Sequence, residues 1–512
     1  MEITQPVHRA AQLTPDRPLT VFVSRVRTVT ESVDRIARLA DVLHSFGVTS
    51  DTGVAIMSLN SDIFHEVMLG VPWAGGVVVP VNYRWSAKEI AFSLQGCEAS
   101  ILIVDDAFVD LAASVRELCP ELTTIIHAGE KPTAEGMLDY EELLAKATPA
   151  EDARRGGSDV YGIFYTGGTT GVAKGVVLSH DNMMASAYGS VASGEFATPY
   201  GRLMHTAPMF HLATGAAWMG GLIVGSTHVF VPQFTPEIAL RTMQDEKVTD
   251  MLLVPTMIQM VVDYPKVGDY DLSEMKHIIY GASPISEGVL ARARARFPNS
   301  TFLQAYGMSE LAPVATMLLS ADHDDPVLRR SAGRAASHVE VKIVDENDNE
   351  VPRGTVGEIV ARGAATMIGY WKRPDETAEA LRGGWMHTGD GGYMDDLGYV
   401  YVVDRIKDMI ITGGENVYSV EVESVLSKHP SIAACAVIGV PDEQWGERVH
   451  VVAVLQPGAT LTLEELQTLA REEIAGYKIP RSMSVVDSLP MSAQGKVLKR
   501  ELRASTGATT PA

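Results

Sequence analysis

Short apolar runs recur along the chain at residues 54–57, 76–81, 101–104, 252–254 and 277–280, and each reads as a strand. Between them the apolar positions switch to helical spacing. In residues 32–46, Val33, Ile36, Leu39, Ala40 and Leu43 fall on one helix face. Such alternation predicts a layered α/β domain. The most apolar uncharged stretch, residues 213–231, approaches the length of a membrane span, but Gly215, Gly220, Gly221, Gly225, Ser226 and His228 interrupt it. It is therefore expected to be a buried helix followed by a strand, and no transmembrane segment is expected.

The pattern changes over residues 339–403, where VEVKIVDENDNEV, GEIVARG and GYVYVVD are separated by Gly354, Gly357, Gly363, Gly369 and Gly398. This predicts a β-rich subdomain closing the large unit. Residues 405–416 carry charge and glycine with few large apolar side chains, and helical spacing resumes at 420–428, where Ser419 is a candidate cap. A domain boundary is expected near residues 404–407, giving domains 1–404 and 405–512.

Composition narrows the function. A chain of 512 residues exceeds what one hydrophobic core usually supports. A formal net charge of −22 argues against a non-specific nucleic-acid binder, which needs a basic surface. Any polyanionic ligand must then be held by a few local cations and backbone N–H groups. Cys97, Cys119 and Cys435 are too few and too scattered for a disulfide framework or metal knuckle, and they suit a reducing cytoplasm. The first residues contain no apolar run of the signal-peptide kind and read as the start of a soluble domain.

The clearest chemical signal is YTGGTTGVAKG at residues 165–175, directly after an apolar strand at 161–164. Glycines let successive backbone N–H groups point into one concavity, hydroxyls add donors, and Lys174 adds charge, which together describe a phosphate cradle. The spacing is not the Walker pattern, which needs glycine directly before lysine, and no G-x-G-x-x-G fingerprint occurs here.

This segment resembles the phosphate loop of the adenylate-forming superfamily, which comprises acyl- and aryl-CoA synthetases, peptide-synthetase adenylation domains and beetle luciferases. Gly167 stands where the family usually has serine and Ala173 where it usually has proline. Further segments follow in the family order over nearly the whole chain. The resemblance implies that fold: a large N-terminal domain of layered α/β subdomains with a β-rich subdomain, and a small mobile α+β C-terminal domain.

It also implies roles. Thr166, Gly167, Gly168, Thr169, Thr170, Gly171 and Lys174 would bind the ATP phosphates. His211, in PMFH, would lie beside the acyl pocket and the phosphates, although a lone histidine after apolar residues also reads as a satisfied core residue. Gly281, Ala282 and Ser283 would flank adenine and the acyl group; without the family they read as a turn. In QAYGMSE, Gln304, Ala305, Tyr306, Gly307 and Ser309 would line the AMP site, with Tyr306 on adenine and Met308 toward the acyl pocket. Glu310 would hold Mg²⁺, a hard cation that seeks carboxylate and phosphate oxygens.

Asp390, in WMHTGD, would bind the ribose hydroxyls, Arg405 would reach the ribose or phosphate, and Lys407 would be the hinge. Lys496, in PMSAQGK, would contact the substrate carboxylate and the nucleotide. For coenzyme A, Gly413, Gly414 and Glu415 would form the face presented after domain rotation. Trp445 and Tyr477 would line its path, and Arg84 and Arg481 would meet its phosphates.

The implied reaction is activation of a carboxylic acid as acyl-AMP and its transfer to CoA, with ATP, Mg²⁺ and CoA as the small-molecule set and a homodimer as a compatible assembly. Small residues Ala213, Gly215, Ala216, Gly281 and Ala282 favour a bulky hydrophobic acid, fatty or hydroxycinnamate-like, over acetate. No extra arginine in these motifs points to malonate. Rival readings are loading of a carrier protein from the same adenylate, a luciferase-like oxygenase, and a plain nucleotide-hydrolysing module.

Overall fold

The computed structural model describes residues 1–50, 52–166, 173–405, 408–413, 415–491 and 497–506. By internal contacts the chain divides into two compact units. One comprises Met1–Val341 and Ala361–Met386, the other Lys342–Val360 and His387–Ala512. The β-rich stretch after residue 342 is thus shared between them, most of it counted with the second unit.

The first unit holds two large sheets with parallel centres. In the eight-stranded sheet Gly53–Met57 lies between Val77–Pro80 and Ile101–Val104, all parallel, and every residue of the three is buried. Burial on both faces explains why these strands read as unbroken apolar runs. Val160–Thr166 extends this sheet in parallel with Val77–Pro80, and Lys174–Ser179 returns antiparallel beside it. The nine-stranded sheet has a parallel centre of Thr227–Phe230, Arg202–His205, Asp250–Leu253, His277–Gly281 and Thr301–Gly307. The layered α/β class expected from the alternation is what these sheets and their helices form.

Two local readings are sharpened. The helix expected over 32–46 runs Val29–Ser45, starting earlier because Thr28 and Glu31 form a capping box, with Thr28 N–H donating to Glu31 Oε2 at 2.7 Å. Residues 213–231 do form a helix and a strand, Leu212–Val224 and Thr227–Phe230. Gly225 ends the helix at φ 75°, the left-handed conformation that only glycine adopts without cost. Among the described residues, no helix is long and apolar enough to cross a membrane.

The second unit carries most of a four-stranded sheet, in the order Val339–Val344, Gly357–Gly363, Met386–Met394 and Val400–Arg405, and a five-stranded sheet centred on the hairpin Ile432–Asp442 and Gly446–Leu455. Ile410, Val422, Leu426, Val437, Val449 and Val451 fill its core. Residues 410–412, within the stretch of charge and glycine, form a strand paired with Glu415–Val417, because Ile410 and Thr412 alternate inward.

The expected helix near 420–428 is Ser419–Leu426, but Ser419 is its first residue and not its cap. The carboxylate of Asp404 does that work. Its Oδ2 accepts the Ser419 N–H at 2.6 Å and also the Ser419 hydroxyl, so a residue fifteen positions upstream satisfies the helix N-terminus.

Candidate active site

In the first unit the site is assembled at the carboxyl ends of parallel strands, where open α/β sheets bind ligands. Thr166 ends one strand and Lys174 begins the next, as cross-strand partners, so they are the two posts of the predicted phosphate loop. Gly167, Gly168, Thr169, Thr170 and Gly171 lie outside the described residues. The Lys174 ammonium sits 3.4 Å from a Glu376 carboxylate oxygen and 4.9 Å from the centre of the Tyr370 ring.

Gln304, Ala305, Tyr306 and Gly307 close the strand Thr301–Gly307, and the chain then turns through Met308 into the short 3-10 segment Ser309–Leu311 that carries Glu310. Gly307 has no room for a side chain, since a Cβ there would stand 1.9 Å from Pro313 O. Glu310 is 7% exposed, and its Oε1 accepts a hydrogen bond from the Tyr370 hydroxyl at 2.8 Å. Burial, and then the Glu310 charge, pushes the Tyr370 phenol well above its ordinary pKa, so it stays a donor.

On the neighbouring strand, Gly281 comes so near Ala305 that a Cβ would meet its carbonyl oxygen at 2.2 Å, and Ala282 follows at φ 66°. Gly281 is therefore drawn against Ala305, with Ala282 and Ser283 following it in the chain, and Tyr280 OH donates to Gln304 Oε1 at 3.1 Å. His211 occupies the N-cap position of Leu212–Val224, its ring 4.1 Å from that of Phe210, which meets Tyr83 edge-on at 4.8 Å. Arg84 follows Tyr83, its N–H donating to Asn82 Oδ1 at 3.1 Å.

In the second unit, Asp390 and Arg405 are register partners on antiparallel strands, joined by an Nε–Oδ1 contact of 2.6 Å. Gly389, at φ 68°, donates its N–H to Glu358 Oε1 at 2.9 Å, which fixes the bend beside Asp390. Elsewhere in this unit Gly413 donates to Trp445 O at 2.8 Å and lies flat against the indole, where a Cβ would come within 2.9 Å. The Arg481 guanidinium stands 4.3 Å over the Trp445 ring. Tyr477 is partly exposed on the turn Gly476–Lys478 and carries Lys478 at 5.6 Å from its ring centre. Glu415 begins the strand Glu415–Val417, while Lys407, Gly414 and Lys496 lie outside the described residues.

Two family descriptions match this chain, AMP-binding enzyme over residues 7–371 and AMP-binding enzyme C-terminal domain over residues 421–496. The chain belongs to the AMP-binding enzyme family. It is an AMP-forming acid–thiol ligase. Feruloyl-CoA synthase of Amycolatopsis sp is 35% identical to it over 500 residues, 98% of each chain. A fatty acid–[acyl-carrier-protein] ligase, ScoC of Streptomyces coeruleorubidus, is 35% identical over 502 residues, 96% of this chain and 94% of that one. Among solved structures, the amide bond synthetase McbA from Marinactinospora thermotolerans superposes with a TM-score of 0.88 at 28% identity, covering 98% of this chain and 99% of that one.

The donor set of this AMP-binding enzyme fits a nucleotide-bound magnesium ion. Among the described residues no cluster of three or more histidine, cysteine or acidic side chains could cage a metal alone. Mg²⁺ commonly takes one or two carboxylates and completes its shell with phosphate oxygens and water, and Glu310 supplies one carboxylate. Sequence reasoning missed Tyr370 and Glu376 beside the loop lysine. Nothing in GYWKRPDE marks them, because Tyr370 lies 60 residues from Glu310 and only the strand pairing Gly369–Tyr370 with Lys174–Ser179 brings them together.

Proposed function

We propose that the enzyme converts a hydrophobic carboxylic acid, fatty or aryl, to its acyl-AMP with ATP and then to acyl-CoA. The observation that carries this reading is the grouping of Glu310, Tyr370 and Lys174 at the root of the phosphate loop. A buried carboxylate and a loop ammonium that both touch one tyrosine suit a magnesium nucleotide. In the first half-reaction a carboxylate oxygen attacks the α-phosphorus and pyrophosphate leaves. Thr166, Lys174 and the backbone of residues 167–171 hold the phosphates, Lys496 aligns the two anions, and His211 faces the reacting carboxylate. Bound through Glu310, Mg²⁺ supplies charge neutralisation on the phosphates. Tyr306, Gln304, Ala305, Gly307, Ser309, Ala282 and Ser283 seat AMP, and Asp390 with Arg405 takes the ribose.

In the second half-reaction the thiol of CoA attacks the acyl carbonyl, AMP leaves, and the thiol proton passes to solvent. The C-terminal domain, taken from residue 405, turns about Lys407 to exchange Lys496 for the face bearing Gly413, Gly414 and Glu415. The Arg481 guanidinium over Trp445 favours CoA as acceptor, since an aromatic face and a cation suit its adenine and phosphates, with Tyr477 and Arg84 as further contacts. Gly281, Ala282 and Met308 border the acyl pocket. Reduced cysteines at 97, 119 and 435 support action in the cytoplasm.

The similarity to a carrier-protein ligase supports a second reading, delivery of the acyl group to a phosphopantetheine arm. The deciding experiment is pyrophosphate release across a panel of fatty, aryl and short acids, without acceptor, with CoA and with a holo carrier protein. No release with any acid ends the ligase reading. Release that yields product only with the carrier protein selects the second one.

A further inference from the structure

The strap at residues 367–371 connects two parts of the phosphate site that come from different sheets. Met367 N–H donates to the Glu310 carbonyl at 2.8 Å, Ile368 N–H to Val177 O at 3.0 Å and Trp371 N–H to Gly175 O at 2.8 Å. Tyr370 N–H is anchored to Thr377 Oγ1 at 2.9 Å. Its side chain therefore leaves a backbone tied on both sides. The hydroxyl ends on Glu310 Oε1 at 2.8 Å, and the ring face lies 4.9 Å from the Lys174 ammonium. A single side chain thus touches the acidic and the basic group that flank the phosphates.

We propose that Tyr370 is a positioning residue for the magnesium nucleotide: its hydroxyl sets the orientation of the Glu310 carboxylate, and its ring holds the Lys174 ammonium at the loop root. The proposal rests on the reading of Glu310 as the metal-binding carboxylate. A carboxylate has about four lone-pair directions, so one oxygen can accept from Tyr370 while the group still faces a cation. An oriented ligand loses less rotational freedom when the ion arrives, which is why hydrogen-bond partners of metal ligands affect affinity strongly. The ring acts separately, through its electron-rich face. The two effects can be removed one at a time.

The experiment is isothermal titration calorimetry of ATP, without acid or CoA, once with Mg²⁺ and once with EDTA. The ratio of the two dissociation constants measures the magnesium-dependent gain. Tyr370→Phe keeps the ring and should lower that gain by about tenfold while leaving the EDTA affinity unchanged. Tyr370→Leu should lose the same gain and also weaken ATP about threefold in EDTA, because Lys174 loses its aromatic support. The EDTA affinity of Tyr370→Phe serves as the folding control. An unchanged gain in Tyr370→Phe, when Glu310→Gln loses it, overturns the proposal alone. Equal weakening of Tyr370→Phe in Mg²⁺ and in EDTA reduces the residue to a structural one and overturns it too. A full magnesium gain in Glu310→Gln overturns the reading of Glu310, and the proposal falls with it.

Discussion

Arg405 and Asp390 meet across two antiparallel strands, guanidinium Nε to carboxylate Oδ1 at 2.6 Å, and the aspartate side chain is only 10% exposed. The contact ties the proposed ribose ligand to the last residue of the neighbouring strand Val400–Arg405, two residues before the proposed hinge. Asp390→Asn keeps the shape and removes the charge, and it should weaken ATP binding about tenfold, the loss expected for a charge-assisted hydrogen bond. Arg405→Ala should cost a similar factor, and the double variant less than the product of the two. Dissociation constants for ATP in the four proteins check this; strict additivity would mean that the pair does not act as a unit.

Lys496→Ala should reduce adenylate formation by about a hundredfold or more, the scale seen when one charge-stabilising donor is removed. Conversion of preformed acyl-AMP by CoA should be nearly unaffected. Pyrophosphate release and single-turnover thioester formation from synthetic acyl-AMP separate the halves. Equal loss in both would remove the argument for an alternating C-terminal domain.

On the face where Arg481 covers Trp445, Trp445→Ala should raise the KM for CoA about fivefold and leave acid-dependent pyrophosphate release at its wild-type rate. The steady-state dependence on CoA provides the measurement. A change in the release step instead would place the indole in adenylation.

The first unit also contains a buried ion network that no motif announces. Arg27 bonds both Asp62 and Glu66, Arg35 Nε reaches Glu66 Oε1 at 2.6 Å, and Tyr140 OH donates to Glu66 Oε2 at 2.9 Å. Glu66 is 1% exposed, and Glu66→Ala takes a buried partner from Arg27, Arg35 and Tyr140 while leaving Arg27 on Asp62 and Arg35 on Glu141, so it should cost about 1–3 kcal/mol. Differential scanning calorimetry should show the unfolding temperature of this unit falling by several degrees. A shift no larger than that of a surface variant such as Glu142→Ala would refute the network's role.

His65, His205 and His228 are all buried, with Trp218 Nε1 donating to His65 Nδ1 at 2.9 Å and His205 Nε2 meeting His228 Nδ1 at 2.9 Å. Burial lowers all three pKa values, that of His228 to about 3. The unfolded chain protonates such a histidine below about pH 6.5, and the folded one does not, so stability is complete above that pH and is lost as pH falls toward 3. At about pH 5 His228 alone should have cost about 2 kcal/mol. Melting temperatures between about pH 8 and pH 5 test the slope, and His228→Asn, which keeps a hydrogen-bonding side chain without the titration, should flatten it.

Much of this enzyme was legible in local pattern. The strands at 54–57 and 101–104, the helix and strand on either side of Gly225, and the order of the motifs from YTGGTTG to Lys496 follow from side-chain period, glycine conformation and spacing. These are properties of neighbours within a few residues, so one sequence suffices to read them. The partners of those residues were not legible. Asp404 in place of Ser419 at a helix start, Tyr370 on Glu310, and Arg27 with Arg35 on Glu66 are hydrogen bonds and ion pairs between residues 15 to 60 positions apart. Strand register and the packing of helices on sheets choose such pairs, and a polar side chain has no periodicity that reveals which distant group will satisfy it. The sequence determined which chemistry the chain carries; the tertiary structure decided which distant side chains pair with one another, because burial makes an unpartnered charge too costly and so forces each one to find a partner.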